Sequence, residues 1–435
     1  MALEAVEICA GAGGQALGLH QAGFTHRLAF ELDPNACATL RKNAREGNIT
    51  ISDPGKVKDG TWVVEGDVAD PELWKPDEFH GIDLLAGGVP CPPFTIAGKQ
   101  LGATDERDLF AWAIEQVKTV QPRALLLENV RGLSMPRFAG YRQHVLDRLQ
   151  DFGYLAEWTL LNASSYGVPQ LRPRFVLVAM RPEEFKYFSW PAKSEVAAPT
   201  VGEALKDLMA SRGWEGAEEW ARKANQVAPT IVGGSKKHGG ADLGPTRAKR
   251  AWEALGVDAY GVHDIAPPYD TPPYDRRPMT KYGPKLTCEM VARLQGWDDG
   301  TWIFTGGKTS QYRQIGNAFP PPVARALGQS IAAALNHTGD KRELYEDRTH
   351  DPIYRVLRDA NDFITAEEIM ARAELELSDP EIDRRISLLG RDFEIEKRAT
   401  SKGLLAYRLE RFKAFVGQVD HARNEYLRAS ASKVS

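Results

Sequence analysis

Cysteine is scarce in this sequence, and nothing in it looks like a membrane span or a leader segment. The four cysteines among 435 residues form no Cys-x-x-Cys pair, so neither a metal site nor a disulfide framework is expected. The amino terminus lacks a basic stretch followed by a long apolar run, and no apolar stretch is long enough to cross a bilayer. We therefore expect a cytoplasmic protein with no metal and no membrane contact.

A strong excess of charge of either sign is also missing. The formal net charge is −4, with 26% charged and 43% hydrophobic residues, which is the composition of an ordinary globular protein with a sizeable core. The length suits two to four domains of about 100–200 residues each. This balance neither favours nor excludes a nucleic-acid partner, because clustered basic residues can attract phosphate whatever the total charge.

Residues 1–181 alternate short apolar runs with helical patterns. Strands are predicted at Ala5–Cys9, Arg27–Glu31, Trp62–Glu65, Ile82–Ala86, Ala124–Leu127, Tyr154–Asn162 and Arg174–Ala179. Helices are predicted at Ala16–Ala22, Pro34–Asn43, Phe110–Val120 and Tyr141–Asp151. Such alternation is typical of an α/β fold with a doubly wound, mostly parallel sheet.

Residues 182–285 differ from what precedes them, since they are rich in Pro and Gly and lose the alternation of strands and helices. Such a segment is either a recognition module built from loops or a long disordered insertion. Trp214, Trp220 and Trp252 favour the module, because they can form a small core. Regular structure is predicted to return over residues 286–337, with helices at Thr287–Leu294 and Pro321–Leu335.

Residues 345–435 show a separate pattern of three helices and two short strands, which is typical of a winged helix-turn-helix domain. The helices are predicted at Pro352–Ala360, Thr365–Ala373 and Asp379–Leu389, and the strands at Phe393–Lys397 and Leu404–Arg408. Basic residues of the third helix and the wing could contact DNA phosphates, namely Arg384, Arg385, Lys397, Arg398 and Lys402. A packing or dimerisation module is an equal alternative, because acidic residues stand close by.

Three of the predicted strands are followed by residues that suit a nucleoside ligand. Gly11, Gly13 and Gly14 follow the first strand and open a helix, where backbone N–H groups can approach a ligand closely. Tight packing would explain these glycines equally well. Glu31 ends the second strand, where a carboxylate can bind ribose hydroxyls, and Asp67 follows the third strand. Together these residues predict a nucleoside pocket at one edge of the sheet.

The fourth strand leads into a proline-flanked loop that contains Cys91. A lone cysteine is often only a small buried apolar residue. Here the flanking prolines stiffen the loop, and its place at the ligand edge of the sheet suits a thiolate nucleophile.

Two further polar groups follow or precede strands near this loop. Glu128 and Asn129 follow the fifth strand, where the carboxyl could cap a helix or act as a general acid. Arg172 and Arg174 stand two residues apart before a later strand. They could form a solvated face, or they could stabilise developing negative charge in a pocket.

The motifs EICAGAGG, GGVPCPPFT, ENVRG, QLRPR, RLQGW and QIGNAFPPPVARALG, in this order, resemble those of the DNA (cytosine-5) methyltransferase family over residues 1–335. The resemblance implies an S-adenosylmethionine-dependent methyltransferase fold that acts on double-stranded DNA. It also implies that residues 182–285 form an inserted target-recognition domain, and that residues 286–337 return to a catalytic domain begun by residues 1–181.

The resemblance also gives roles to the catalytic residues. Cys91 would attack carbon 6 of a flipped-out cytosine, and Glu128 would engage ring nitrogen 3 while carbon 5 takes the methyl group. Arg174 would hold the base oxygen, and Arg172 would support the pocket and the Cys91 loop. Asn129 would help to fix the geometry of that loop.

A pocket for S-adenosylmethionine is implied by the same resemblance, with lining residues Cys9, Ala10, Gly11, Gly13, Gly14, Glu31, Leu32, Asp67, Val68, Pro90, Gly316, Asn317 and Ala318. Family members often have Phe where Cys9 stands and a bulky aromatic where Leu32 stands. We therefore expect altered contacts with the adenine ring and retained binding of the cofactor.

Two other functions are alternatives to a DNA methyltransferase. One is a relative that methylates RNA, against which the long segment 182–285 argues. The other is a non-enzymatic DNA binder that acts through residues 345–435, against which the intact Cys91, Glu128 and Arg174 argue. A DNA methyltransferase of this kind is expected either to be the modification partner of a cognate restriction endonuclease or to be a solitary bacterial enzyme. The segment 232–240 resembles recognition domains for GC-rich palindromes that contain CCGG.

Overall fold

The computed structural model describes residues 2–90, 107–233, 240–271, 283–343 and 350–413. Strands and helices alternate in its first part, as the sequence predicts. The strands are β1 (Leu3–Ile8), β2 (Phe24–Glu31), β3 (Val63–Glu65), β4 (Leu84–Gly87), β5 (Ala124–Val130), β6 (Leu155–Asn162) and β7 (Pro173–Met180). The helices are α1 (Gly14–Gln21), α2 (Pro34–Arg45), α3 (Pro54–Asp59), α4 (Arg107–Val120), α5 (Ala139–Asp151) and α6 (Pro182–Phe185).

These seven strands form one sheet in the order β3-β2-β1-β4-β5-β7-β6. Strands β1 to β5 run parallel to one another, whereas β7 is antiparallel to both β5 and β6. The predicted α/β fold with a doubly wound, mostly parallel sheet is therefore confirmed. Because β1 to β5 are parallel, their carboxyl ends meet at one edge, and the loops that follow these strands lie together there.

Helices cover both faces of the sheet. On one face, Leu125 and Leu127 of β5 pack with Phe110 of α4 and Val145 of α5. On the other, Leu126 packs in a cluster shared with α1 and with a late helix, α12 (Pro321–Leu335). A strand that is buried on both faces reads as a continuous apolar run, which is why the run at the start of β5 predicts a central strand.

The described part of residues 182–285 contains three helices beyond α6, namely α7 (Val201–Ala210), α8 (Ala217–Lys223) and α9 (Thr246–Ala254). Trp214, Trp220 and Trp252 are buried, as predicted, with exposed fractions of 3%, 0% and 0%. The expectation of a small core was wrong, because the three rings share one large cluster with Leu40 and Trp62 of the first region. The segment therefore packs into the rest of the molecule.

Two further helices precede α12 in the late part of the chain. They are α10 (Cys288–Leu294) and α11 (Lys308–Asn317). Thr287, predicted as the first helical residue, instead caps α10, because its hydroxyl accepts the N–H of Met290. Helix α11 was not predicted, since its largely polar sequence carries little apolar periodicity.

Residues 350–413, here called the C-terminal unit, have a hydrophobic cluster of their own that includes Ile353, Leu357, Ile369 and Ile386. The elements are α13 (Pro352–Ala360), β8 (Ile364–Thr365), α14 (Ala366–Arg372), α15 (Asp379–Leu389), β9 (Phe393–Ala399) and β10 (Leu405–Phe412). The three strands form an antiparallel sheet in the order β8-β10-β9. All three predicted helices and both predicted strands are present, and β8 is added.

Strand β5 differs from its prediction in a way that matters for the site. It extends to Val130, so Glu128 and Asn129 lie within a strand and pair with β7. Glu128 therefore does not cap a helix. Across the described residues, no helix is both long enough and apolar enough to span a bilayer.

Candidate active site

The loop after β1 is shaped by backbone conformations that favour glycine. Cys9, Gly11 and Gly13 have positive φ angles of 52°, 56° and 90°. An added Cβ at Gly11 would meet no heavy atom within 4 Å. Gly11 therefore leaves an open space beside the amino end of α1, where backbone N–H groups can meet a ligand.

Gly13 and Gly14 have a different reason to be glycine. A Cβ on Gly13 would lie 2.5 Å from Cζ2 of Trp302, and one on Gly14 would overlap the backbone oxygen of Phe319. Trp302 also donates from Nε1 to the Ala12 carbonyl at 3.0 Å. Tight packing against the late part of the chain thus accounts for these two glycines, whereas Gly11 combines a positive φ with open space.

Glu31 at the end of β2 faces the same loop. One carboxylate oxygen accepts the Gly11 N–H at 2.7 Å and the other accepts the Asp33 N–H at 2.8 Å. Burial raises the pKa of Glu31, and these backbone N–H groups oppose the rise. The Leu32 N–H is a third backbone donor to this carboxylate. The adjacent Leu32 is 66% exposed and offers an apolar surface to a planar ring.

The remaining predicted cofactor residues lie around this loop or near it. Asp67 turns the chain after β3 by accepting the Ala69 N–H at 3.0 Å, and Val68 is buried. Ala318 contacts Gly14, since a Cβ there would lie 3.1 Å from its methyl carbon. Asn317 instead lies against Gly233. The structure therefore brings Ala318 to the glycine loop and places Asn317 against the 182–285 segment.

Glu128 and Arg174 form an ion pair on neighbouring strands. Nε of Arg174 contacts Oε1 of Glu128, and their side chains are only 9% and 11% exposed. Burial lowers the pKa of Arg174, and the Glu128 carboxylate opposes this. An added Cβ on Gly88 would lie 3.4 Å from Oε2 of Glu128. The carboxylate thus stands beside the backbone that leads into the Cys91 loop.

Asn129 holds the start of that loop. Its Nδ2 donates to the Val89 carbonyl at 3.3 Å, and its Oδ1 accepts the Val130 N–H at 2.7 Å. Cys91 itself lies outside the described residues, which resume at residue 107. The described neighbours of the Cys91 loop, from Gly88 to Pro90, therefore lie beside Glu128 and Asn129.

Arg172 occupies a different place from Arg174. It is 2% exposed, and it donates to the carbonyls of Ile231, Gly316 and Ala318 at 2.7, 2.8 and 3.0 Å. Burial lowers its pKa, nearby Arg174 adds to this, and Glu128 opposes it. Its described partners tie the 182–285 segment to the end of α11. The prediction that Arg172 supports the Cys91 loop concerns residues outside the described ranges.

Sequence reasoning missed two residues that shape the site. Trp302 packs on the glycine loop from a distant part of the chain, and Gly88 stands beside the Glu128 carboxylate. Gly88 stands within the quoted GGVPCPPFT motif, so its position was a usable signal. Trp302 gave none, because only the folded chain brings it to Gly13.

Comparison with known proteins matches residues 3–333 to the model for C-5 cytosine-specific DNA methylases. The chain is 62% identical over 433 residues to the Type II methyltransferase M.NaeI of Lentzea aerocolonigenes, covering 100% of this chain and 99% of that protein.

A second relative is similar over a shorter part of the chain. The Type II methyltransferase M.NgoMIV of Neisseria gonorrhoeae is 47% identical over 344 residues, covering 77% of this chain and 99% of that protein. The crystal structure of the S. pombe Dnmt2 methyltransferase has a TM-score of 0.49 and 18% identity, covering 77% of this chain and 99% of that chain.

Proposed function

The chain belongs to the C-5 cytosine-specific DNA methylase family, and within that activity we propose which of its residues carry the reaction. It is a DNA (cytosine-5) methyltransferase, which transfers a methyl group to carbon 5 of cytosine. We assign the nucleophile to Cys91, the ring-nitrogen contact to Glu128 and the base-oxygen contact to Arg174. The observation that carries this assignment is the buried Glu128–Arg174 pair beside the backbone that leads to Cys91.

The cytosine ring is a poor nucleophile, so the reaction needs prior activation of carbon 5. The Cys91 thiolate adds to carbon 6, and a proton held between Glu128 and ring nitrogen 3 offsets the charge that develops on the ring. After carbon 5 has taken the methyl group, loss of its proton expels Cys91 and restores the ring. The target base must leave the duplex for this, because the reacting carbons are otherwise inside the stack.

Arg174 and Asn129 fix the geometry of these groups. The Arg174 guanidinium keeps the Glu128 carboxylate in one orientation while other N–H groups remain for the base oxygen. Asn129 binds the Val89 carbonyl, which precedes the nucleophile by two residues. Both side chains are buried, so water competes little for their hydrogen bonds.

S-Adenosylmethionine is the methyl donor expected for this family, and its bound sulfonium supplies the methyl group. The described residues fit it, because Gly11 leaves open space, Glu31 presents a carboxylate for ribose hydroxyls and Leu32 presents exposed apolar surface. Cys9, Ala10, Asp67, Val68, Pro90 and Ala318 complete the proposed pocket. Asn317 is proposed to join it from its place beside Gly233.

The target sequence is proposed to be read by residues 182–285, in duplex DNA. Arg172 supports this, since it binds the Ile231 carbonyl and so holds this segment against α11. Both named relatives are Type II methyltransferases, which supports a role in restriction-modification beside a cognate endonuclease. A GC-rich palindrome containing CCGG is the proposed target, and sequencing of methylated cytosines in a host that expresses the protein will identify it.

The assignment of Cys91 is tested by Cys91→Ser, with Cys288→Ser as the matched control. Cys288 is a half-buried free thiol on α10, and burial raises its pKa to about 11. Transfer of labelled methyl groups to duplex DNA and to RNA is measured for both variants. We expect Cys91→Ser to lose transfer and Cys288→Ser to keep it. Transfer near the wild-type rate in Cys91→Ser would overturn the mechanism, and transfer to RNA alone would overturn the substrate.

A further inference from the structure

Helix α5 carries a polar face whose partners belong to the C-terminal unit. Gln143 is fully buried, and its Oε1 accepts the His350 N–H at 2.6 Å. Its Nε2 donates to Asp147 at 2.8 Å, and Asp147 pairs with Nη1 of Arg358 at 2.8 Å. Arg358 also binds Asp151. These polar groups of α5 therefore face the C-terminal unit, which supplies the His350 N–H and the Arg358 guanidinium.

Apolar packing accompanies these bonds. The His144 ring lies 4.4 Å from the Phe412 ring and 5.3 Å from the Phe393 ring, centroid to centroid. It also bonds the Tyr354 hydroxyl at 2.8 Å. Gly140 leaves space that Leu389 occupies, since an added Cβ there would overlap the Leu389 side chain. The contact between α5 and the C-terminal unit is thus closely packed as well as polar.

Arg142 extends from the same helix towards the active site. Only 7% exposed, it donates from Nη1 to the carbonyls of Leu133 and Met135 at 2.8 and 2.9 Å. These carbonyls lie in residues 131–135, which directly follow β5, begin with the 3₁₀ helix Arg131–Ser134 and are here called the 131–135 loop. Its guanidinium carbon also stands 5.9 Å from the ring centroid of Phe175, which pairs with Asn129 in the sheet. Arg142 therefore holds the chain that continues from Glu128 and Asn129.

The Asp351 carboxylate of the C-terminal unit lies beside α5, since an added Cβ on Gly140 would stand 3.4 Å from its Oδ2. Burial lowers the pKa of Arg142 to about 10, and the Asp351 carboxylate opposes this. Asp351 also caps α13 by accepting the Tyr354 N–H at 3.1 Å. In addition, Nε of Arg142 lies 3.4 Å from Nδ1 of His350. Arg142 is thus bound to loop carbonyls on one side and faces the first residues of the C-terminal unit on the other.

We propose that the C-terminal unit is a positioning element for methyl transfer, which acts through Asp351 and Arg142 on the 131–135 loop. The unit lies outside the residues that match the family model, 3–333, so this is an added device on the catalytic part. Arg142 is a positioning residue, since its hydrogen bonds go to the 131–135 loop and to His350. The inference rests on the proposed role of Glu128, whose strand the loop continues.

The test is Asp351→Asn, with Asp359→Asn as its matched control on the same helix. Asparagine caps helices about as well as aspartate, so Asp351→Asn removes the charge and retains the cap. Asp359 is exposed, so its substitution makes the same chemical change away from α5. Single-turnover rates are measured at saturating duplex DNA and S-adenosylmethionine, beside the dissociation constant for DNA.

We expect Asp351→Asn to lower the single-turnover rate about five- to tenfold, in the range of known coupling effects, with unchanged DNA affinity. Asp359→Asn should match the wild type in both measurements. In an Arg142→Gln background, Asp351→Asn should not lower the rate further, because Asp351 affects the rate only through Arg142. If Arg142→Gln does not fold, Arg142→Lys serves instead, and Asp351→Asn should then keep its effect because the cation remains.

Three outcomes would overturn the inference. Equal rates in Asp351→Asn and Asp359→Asn would remove the positioning role. Weaker DNA binding at an unchanged rate would make the C-terminal unit a DNA-binding module instead. If the effects of Asp351→Asn and Arg142→Gln on the rate are fully additive, Asp351 acts by another route. Failure of the proposed role of Glu128 is separate, because it would leave the rate of Glu128→Gln unchanged whatever Asp351 does.

Discussion

Buried charge is used differently at the catalytic edge and at the contact between α5 and the C-terminal unit. Glu128 and Arg174 are both almost fully buried, with side chains 11% and 9% exposed. At the other contact, Asp147 is 3% exposed, but its partner Arg358 is 34% exposed and also binds Asp151. When a half-exposed ion pair loses one partner, the loss of stability is small, because water and the other partners still stabilise the remaining charge. When a buried pair loses one member, the loss is large, because the remaining charge is buried and uncompensated.

This difference in the burial of charge indicates which substitutions should affect the reaction rate and which should affect stability. At the catalytic edge, the sheet register fixes Glu128 opposite Val176 and beside Arg174, so the backbone itself sets the geometry of this pair. At the α5 contact, several hydrogen bonds, ion pairs and ring contacts each contribute part of the stability. We therefore expect steep effects on rate from the first region and graded effects on stability from the second.

The largest effect should come from Glu128→Gln, which keeps the shape of the side chain and removes its acid function. Loss of a general acid commonly costs about 10²-fold in rate or more. Affinity for S-adenosylmethionine should change little, because Glu31 and Gly11 lie at other strand ends. Single-turnover rates with duplex DNA check this. A rate within error of wild type would mean that the buried pair only stabilises the sheet.

A smaller effect separates the two kinds of glycine in the loop after β1. Gly13→Ala should lower the free energy of unfolding by about 3 kcal/mol, because it adds a strained positive φ and a clash with Trp302. Gly11→Ala should cost only about 1 kcal/mol, from its positive φ alone, and should weaken cofactor binding instead. Denaturant unfolding and calorimetric titration measure the two. Equal losses of stability would contradict the division.

The smallest effect concerns pH at the α5 contact. Burial beside Arg148 and Arg358 lowers the pKa of His144 to about 3 from its ordinary 6.5, with Asp151 opposing. Since the unfolded chain binds this proton more tightly, the stability that neutral His144 contributes is present above pH 6.5 and is lost as pH falls towards 3. Between pH 7.5 and 5.5 the loss should be about 1.4 kcal/mol.

The measurement is unfolding free energy at both pH values for the wild type and for His144→Gln. The variant should lose less stability than the wild type over this interval, because glutamine does not titrate. His80→Gln, at an exposed histidine, is the control and should behave like the wild type. An unchanged pH dependence in His144→Gln would show that His144 is not the group that responds.

The sequence alone determined where the catalytic strands lie along the chain and which residue types stand at their ends. Central strands such as β5 must be apolar on both faces, so their runs stand out, and the motifs in or beside them give the positions of Cys91, Glu128 and Arg174 in the chain. The helices of the C-terminal unit were equally visible, because each is short and periodic, and α13 and α14 have side-chain caps. Local chemistry decides these features, and local chemistry is what a sequence displays.

Only the tertiary structure decided what these residues touch. It separated Gly11 from Gly13 and Gly14, because Trp302 and Phe319 come from far along the chain. In the folded chain, Arg172 bonds to the carbonyls of Ile231 and Gly316. The tryptophans of the 182–285 segment share a hydrophobic core with the first region. Contacts between distant segments depend on how whole elements pack, and no periodicity or spacing within one segment records them.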